Sequence, residues 1–325
     1  MNPRIVYIGA PEADAAEFEA LAHADFPDLA LVATNDRRVA LEQAPSAAAL
    51  IGHHFQFDES LLQRATQLQW IQSLTTGTDG ILKLEALRAE TLVTSTRGMH
   101  APQMSELVFM HMLALARDLP RMLANQASAH WERWPQPLLW KKCVVIVGVG
   151  AIAEGLALRC NAFGMRVIGI SNTPRSLPGF DAICRRADLG SVAAQADFLI
   201  ILVPYSADTE NLIDAKIIGA LRPSAFLINV ARGGVLDEQA LLEALHAGRI
   251  AGAGLDVFRQ QPLPADSVLW RAPRTLITPL LGGMSDVYLA QAYPIVRTNL
   301  EHFLAGRTEL MLNPVRHWQH SRSRP

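Results

Sequence analysis

The chain has 325 residues, half of them hydrophobic and 18% charged, with a formal net charge of −2. That length supplies apolar material for two cores rather than one. The near-balanced charge, with an isoelectric point near 6.6, gives no electrostatic ground for a polyanionic partner or an anionic membrane surface, so neither nucleic acid nor membrane binding is expected.

Three cysteines, Cys143, Cys160 and Cys184, show no metal-ligand spacing and read as reduced thiols, so no metal site is expected. The opening MNPRIVYIGAPEAD carries acidic residues and no long apolar run. It is unlike a signal peptide or a transmembrane helix, which predicts a cytoplasmic protein.

From the start, β-branched runs alternate with amphipathic stretches: RIVYIGA, then PEADAAEFEALAHA at helical spacing, then LALVAT, ALIGHHF and LQWIQSLTT. After TLVTSTRG, the segment MHAPQMSELVFMHMLALARDLPRMLANQASAHW has helical periodicity interrupted only at Pro120. A second βα series follows: CVVIVGVG, the helix AIAEGLALRCNAFG, MRVIGIS, a helix near SVAAQA, DFLIILVP, a helix near DAKIIGAL, AFLINVARGG, DEQALLEALHAG, AGAGLDVF and TLITP. Nearly continuous apolar strands predict sheets covered on both faces by helices, a doubly wound α/β architecture. SDVYLAQAYPIVRTNLEHFLAG predicts a last helix ending at Gly306, and LMLNPV would return the chain to the first domain. The tail HWQHSRSRP reads as disordered.

GVGAIA, Gly148 to Ala153, follows a strand and opens a helix. In such a turn Gly148 permits the tight reversal and Gly150 lets the backbone approach a pyrophosphate. Ala151 and Ile152 begin a helix whose free N–H groups and dipole favour an anion. The third small residue is Ala153, which needs only to pack closely on the strand. The next strand ends at Ser171, followed by Asn172, Thr173 and Arg175, with no carboxylate before Asp181. Without that anion nothing repels a 2′-phosphate, and Arg175 offers it a charge partner. The cofactor expected is NADP(H), with NAD(H) as the alternative.

SLTTGTDGI, RGMHAPQMSE, VGVGAIAEGLA, VPYSADTENLI, LINVARGGVLDEQALLEAL, GAGLDVFRQQPLP and TPLLGG together resemble the D-isomer-specific 2-hydroxyacid dehydrogenase family, nearest to its glyoxylate and hydroxypyruvate reductase branch. The resemblance implies two doubly wound parallel-sheet, Rossmann-like domains. A flavodoxin-like substrate domain (1–99 plus 286–325) would be completed by the C-terminal helix, and an NAD(P)-binding domain would span 100–285. It implies a small 2-oxo or 2-hydroxy acid substrate and a homodimer joined through the helices after Met99. Trp131 and Trp134 lie where the branch places aromatics that reach a partner subunit, with core packing the alternative.

Residue by residue, the resemblance makes Arg232 the group that holds the substrate carboxylate and polarises its carbonyl, as a planar guanidinium can. Thr76, Gly77 and Thr78 match a loop whose backbone N–H groups meet the substrate carboxylate. Val203, Pro204, Val230, Ala231 and Asp256 match positions around the nicotinamide and its ribose, with capping of a strand end the alternative for Asp256. Leu280, Gly282 and Gly283 match the turn at the nicotinamide edge, where the glycines would keep the backbone close to the cofactor.

Two positions depart from the pattern. The family carries a glutamate before proline where this chain has Gln261, and a histidine after TP where it has Leu280. Gln261 alone has a parallel in formate dehydrogenases of the superfamily. Leu280 has neither proton to give nor lone pair to accept one, and losing a general acid costs ~10²- to 10⁴-fold in rate. The pair is coherent, because a buried carboxylate without its imidazole would be desolvated for no gain. His100, Ser285, Tyr288 or water are the replacement donors to consider, with His53 and His54 behind them. Three readings follow: a working 2-oxoacid reductase with a non-standard proton source, an oxidoreductase with an altered substrate, and a catalytically impaired dinucleotide-binding protein acting as a redox sensor or assembly partner.

Overall fold

Seven segments of the middle region form the parallel strands of one sheet: β6 (Cys143–Val147), β7 (Arg166–Ser171), β8 (Ala182–Arg185), β9 (Phe198–Ile201), β10 (Phe226–Asn229), β11 (Gly252–Leu255) and β12 (Thr275–Ile277). Their order is β12-β11-β10-β9-β6-β7-β8. It winds outward in both directions from β6, the dinucleotide-fold arrangement with one further strand. Strand β6 shows why its sequence is apolar throughout. Cys143, Val145 and Val147 enter the core on one face, while Val144 and Ile146 enter the core on the other, so the two-residue side-chain period finds helices on both sides.

The structure is a computed structural model that describes residues 3–11 and 13–316. The tail HWQHSRSRP lies outside the described residues. The chain forms two compact units, Met1–Met99 with Met284–Pro325, and His100–Gly283. The first holds β1 (Arg4–Ile8), β2 (Leu31–Thr34), β3 (Ala47–Gly52), β4 (Trp70–Ser73) and β5 (Leu92–Thr94), together with β13 (Pro314–Arg316). Their order is β13-β5-β4-β3-β1-β2. Five strands are parallel in the flavodoxin-like order, and β13 closes the edge antiparallel to β5.

A buried polar chain ties the returning C-terminal segment into this first sheet. The Trp70 indole donates to Thr94 Oγ1 and Thr94 donates to Gln72 Oε1, each at 2.8 Å. Asn299, on the helix Tyr288–Leu304, donates to the same Gln72 oxygen at 2.8 Å and accepts from the Leu312 N–H at 2.6 Å. Each member is satisfied, so the network fixes register without an orphaned group.

One expectation needs correction. The helical segment after Met99 breaks at Asp118, which adopts a left-handed φ of 55°. The helices are Ala101–Ala116 and Leu119–Ala127, and Pro120 sits in the first turn of the second, where its missing N–H costs nothing. Strand β8 was not anticipated. It is an edge strand with no buried residue, so it has no apolar run to betray it. Among the described residues no helix is long and apolar enough to cross a membrane.

Candidate active site

In the second unit the candidate residues collect where the parallel strands end. Gly148 follows β6 with a φ of +102°, and a side chain there would lie 2.7 Å from the Val203 backbone nitrogen. The turn is therefore pressed on the segment after β9 that carries Val203 and Pro204, and it admits only glycine. Gly150 caps the helix Ala151–Ala162, and no protein atom lies within 4 Å of where its Cβ would be. Its φ of −137° is one any residue adopts, so neither packing nor backbone demands glycine there. No side chain caps this helix, which leaves the N–H groups of its first turn, at Ala151 and Ile152, for an anion. Ala153 is buried on β6, as its small size requires. These residues fit the pyrophosphate of a dinucleotide.

Arg175 stands at the mouth of the same turn. It donates to the Val149 carbonyl at 3.1 Å and lies 3.9 Å from Glu154. Ser171, at the end of β7, accepts from the Thr173 N–H at 3.3 Å. The strand end itself presents a hydroxyl, with the Arg175 guanidinium near it and the Glu154 carboxylate beside that guanidinium.

Arg232 is held by packing at the end of β10. A side chain on Gly233 would lie 2.0 Å from the Phe258 carbonyl carbon, so the segments after β10 and β11 are in direct backbone contact. Asn229, fully buried, fastens the turn from inside: Ala231 N–H donates to its Oδ1 at 3.1 Å, and its amide donates to the Arg232 carbonyl at 3.1 Å. Val230 and Ala231 are buried beside it, and the Arg232 guanidinium donates to the Ala231 carbonyl at 2.7 Å. In LINVARGG the asparagine carries no local signal of this role. Its importance appears only with the turn.

The Thr278–Gly283 turn closes the same edge beyond β12. Leu280 has a φ of 58°, a left-handed conformation that costs a non-glycine residue roughly 1–2 kcal/mol, and the residue is 51% exposed. Asp256, 1% exposed, holds it there. The Asp256 carbonyl accepts from Leu280 N–H at 3.0 Å. Its carboxylate accepts from the Thr278 hydroxyl at 2.6 Å, from Leu281 N–H at 2.8 Å and from Gly282 N–H at 2.9 Å. Burial raises the Asp256 pKa above its ordinary value, and these three donors oppose that rise. The carboxylate thus anchors the turn, which is the capping alternative of the sequence reading.

A side chain on Gly282 would lie 2.7 Å from Met104 Sδ and 3.0 Å from both Asp256 Oδ2 and Leu107 Cδ2, so the helix Ala101–Ala116 and the Asp256 carboxylate crowd this position. Gly283 is open by comparison, with only the His100 ring within 4 Å. Gln261 is exposed, and among the described residues no hydrogen bond joins it to this turn.

The candidate proton donors are dispersed and mostly committed. Burial pulls the His100 pKa down to about 4, so its ring is neutral at pH 7. In the first unit Tyr288 donates to the Leu74 carbonyl at 2.5 Å and Ser285 to Gln291 Oε1 at 2.9 Å. His53 is stacked against Phe55 and packs on Tyr288. His54 bonds Thr75 Oγ1 at 3.1 Å, and Thr75 in turn donates to the Gly77 carbonyl at 3.0 Å, which orders the Thr76–Gly77–Thr78 loop. Trp131 is 90% exposed, which rules out core packing for it, and the Arg121 guanidinium stacks on Trp134 at 4.2 Å.

A glycine turn at β6, an arginine at β10 and a buried aspartate at β11, on one edge of a doubly wound sheet, define a dinucleotide-binding oxidoreductase. Residues 109–282 match the model of the D-isomer specific 2-hydroxyacid dehydrogenase, NAD binding domain. A glyoxylate/hydroxypyruvate reductase B of Pectobacterium atrosepticum is 33% identical over 83% of this chain and 86% of its own. The crystal structure of a D-isomer specific 2-hydroxyacid dehydrogenase family protein from Aeromonas salmonicida superposes with a TM-score of 0.89 at 32% identity, covering 97% of this chain and 99% of that one. An NADPH-dependent glyoxylate/hydroxypyruvate reductase from Sinorhizobium meliloti, solved with NADP and sulfate, gives a TM-score of 0.82 at 27% identity, over 97% and 98% of the two chains. The chain belongs to the D-isomer specific 2-hydroxyacid dehydrogenase family, whose members are NAD(P)-dependent 2-hydroxyacid dehydrogenases and 2-oxoacid reductases.

Proposed function

We propose that this protein reduces a small 2-oxo acid to the 2-hydroxy acid, with NADPH as the preferred reductant, and that Arg232 binds and polarises the substrate. The observation that carries the proposal is the placement of Arg232. Its turn is clamped by Asn229 and by the backbone contact between Gly233 and Phe258, on the strand edge that also carries the glycine turn. When bound, the nicotinamide supplies the hydride. The first turn of the helix Ala151–Ala162 holds the pyrophosphate, and Arg175 pairs with the 2′-phosphate beside Ser171. The guanidinium of Arg232 holds the substrate carboxylate and stabilises the charge that develops on the carbonyl oxygen.

The proton on the product oxygen comes from water. The exposed side chains of the Thr278–Gly283 turn, Leu280 and Leu281, carry none, and Thr278 directs its own to Asp256. Gln261, a neutral amide, suits a site without an imidazole to orient. The protein acts as a homodimer, and the exposed Leu123, Trp131 and Trp140 of the second unit supply apolar surface for the second copy. Initial rates with a panel of 2-oxo acids, glyoxylate and hydroxypyruvate included, test the reading: Arg232→Ala should lose about 10²-fold or more in kcat/KM on whichever acid is turned over. An unchanged rate would remove Arg232 from the mechanism. Tight NADPH binding without turnover of any acid would favour a redox-sensing or assembly role.

A further inference from the structure

One buried titratable side chain has no part in the reaction proposed above and yet reaches the turn that carries Leu280. His111 lies on the helix Ala101–Ala116 and is 0% exposed. Its ring rests on Gly254 of β11, where a Cβ would fall 2.6 Å from Nδ1. Nε2 is 3.1 Å from Thr278 Oγ1, and that hydroxyl donates to Asp256 Oδ1 at 2.6 Å.

The protons available fix the direction of this chain. A threonine hydroxyl has one proton, and with Asp256 ionised that proton goes to the carboxylate. Thr278 must then accept from His111, so Nε2 bears the imidazole hydrogen. Nδ1 is left buried without a hydrogen-bond partner among the described residues. A leucine in this place would avoid that unsatisfied acceptor, so packing alone does not account for histidine. What the imidazole adds is control of the Thr278 rotor.

We infer that His111 is a positioning residue for the reductase site: its Nε2–H orients the Thr278 hydroxyl toward Asp256, whose carboxylate then holds the N–H groups of Leu281 and Gly282 and with them the left-handed conformation of Leu280. The inference rests on the proposed reductase reading only for its effect on rate. Its structural part concerns four residues linked by direct hydrogen-bond contacts within one unit: His111, Thr278, Asp256 and Gly282.

The test compares the native full-length protein with His111→Leu, His111→Gln and Gly254→Ala, the last of which puts a methyl group into the imidazole. Amide exchange at Leu281 and Gly282 should be about tenfold faster in His111→Leu, while the helix Ala151–Ala162 keeps native exchange and the melting temperature does not fall. Gln, whose amide N–H can reach Thr278, should restore native exchange, and Gly254→Ala should reproduce the leucine phenotype. With an active 2-oxo acid, kcat of His111→Leu should drop about tenfold while the NADPH dissociation constant stays within about twofold. Unchanged exchange at Leu281 and Gly282 in both His111→Leu and Gly254→Ala would overturn the inference. So would uniform loosening that glutamine fails to rescue, or faster exchange with unchanged kcat. If the native protein reduces no 2-oxo acid, the reductase reading fails, whereas the exchange data still decide whether His111 sets the turn.

Discussion

Two turns on the same edge of the second sheet are built on opposite plans. The turn after β6 is made of its own residues: Gly148 supplies the positive φ, Gly150 leaves space, and Ala153 packs on the strand. The turn after β12 is made by others: Asp256 is 26 residues from the Gly282 it binds, and His111 is 167 residues from Thr278. The first leaves backbone donors for a ligand, and the second turns its donors inward to a carboxylate. The first is therefore open to an anion, while the second is a fixed platform for Leu280.

The largest test of that contrast is to give the platform a proton. Leu280→His should raise turnover of glyoxylate or hydroxypyruvate by about 10²- to 10⁴-fold if the turn lies where the proton is needed. Initial rates at saturating NADPH measure it, and no gain would mean that the turn is remote from the reacting oxygen.

Removing the anchor comes next. Asp256→Ala deletes three acceptor contacts and should cost about 3 kcal/mol in chemical denaturation. A loss below about 0.5 kcal/mol would mean that Leu280 holds its conformation unaided.

Acid should weaken the second unit through its buried imidazoles. His100 and His111 both have pKa values lowered to about 4 by burial. The unfolded chain takes up their protons near pH 6.5 and the folded chain does so only near 4. Their stabilisation is therefore complete above about pH 6.5, is lost as pH falls toward 4, and changes no further below that. Each group accounts for up to about 3 kcal/mol. Urea midpoints at pH 7 and pH 4.5 should show the loss, and His111→Leu should remove its share of the difference.

The smallest expected effect concerns the other turn. Arg175→Ala should weaken NADPH binding about tenfold and leave NADH within about twofold. Equal losses for both would assign Arg175 to the Val149 carbonyl it touches rather than to the 2′-phosphate.

The sequence made the first turn readable because its signature lies within six consecutive residues, Gly148 to Ala153. The strands were readable for a similar reason: burial on both faces leaves a continuous apolar run. β8 was not, because an edge strand without buried residues carries no such mark. Arg232 was legible as a motif residue, but its support by Asn229 and by the Gly233 contact with Phe258 depends on adjacent strands ending together. Gly282 was legible as a glycine, but the Met104 and Leu107 side chains that crowd it sit on the helix Ala101–Ala116, far from it in sequence. His111 had no local signal at all. A histidine in an apolar helix reads as a core residue until its distant partner is known.

The measurement that bears most directly on the central claim is the pH dependence of kcat for the native protein beside Leu280→His. A reductase that takes its proton from water should show no ionisation between about pH 6 and 8, and the histidine variant should acquire one in that range. A native profile that already breaks there would reveal a titrating donor elsewhere in the protein and contradict the account.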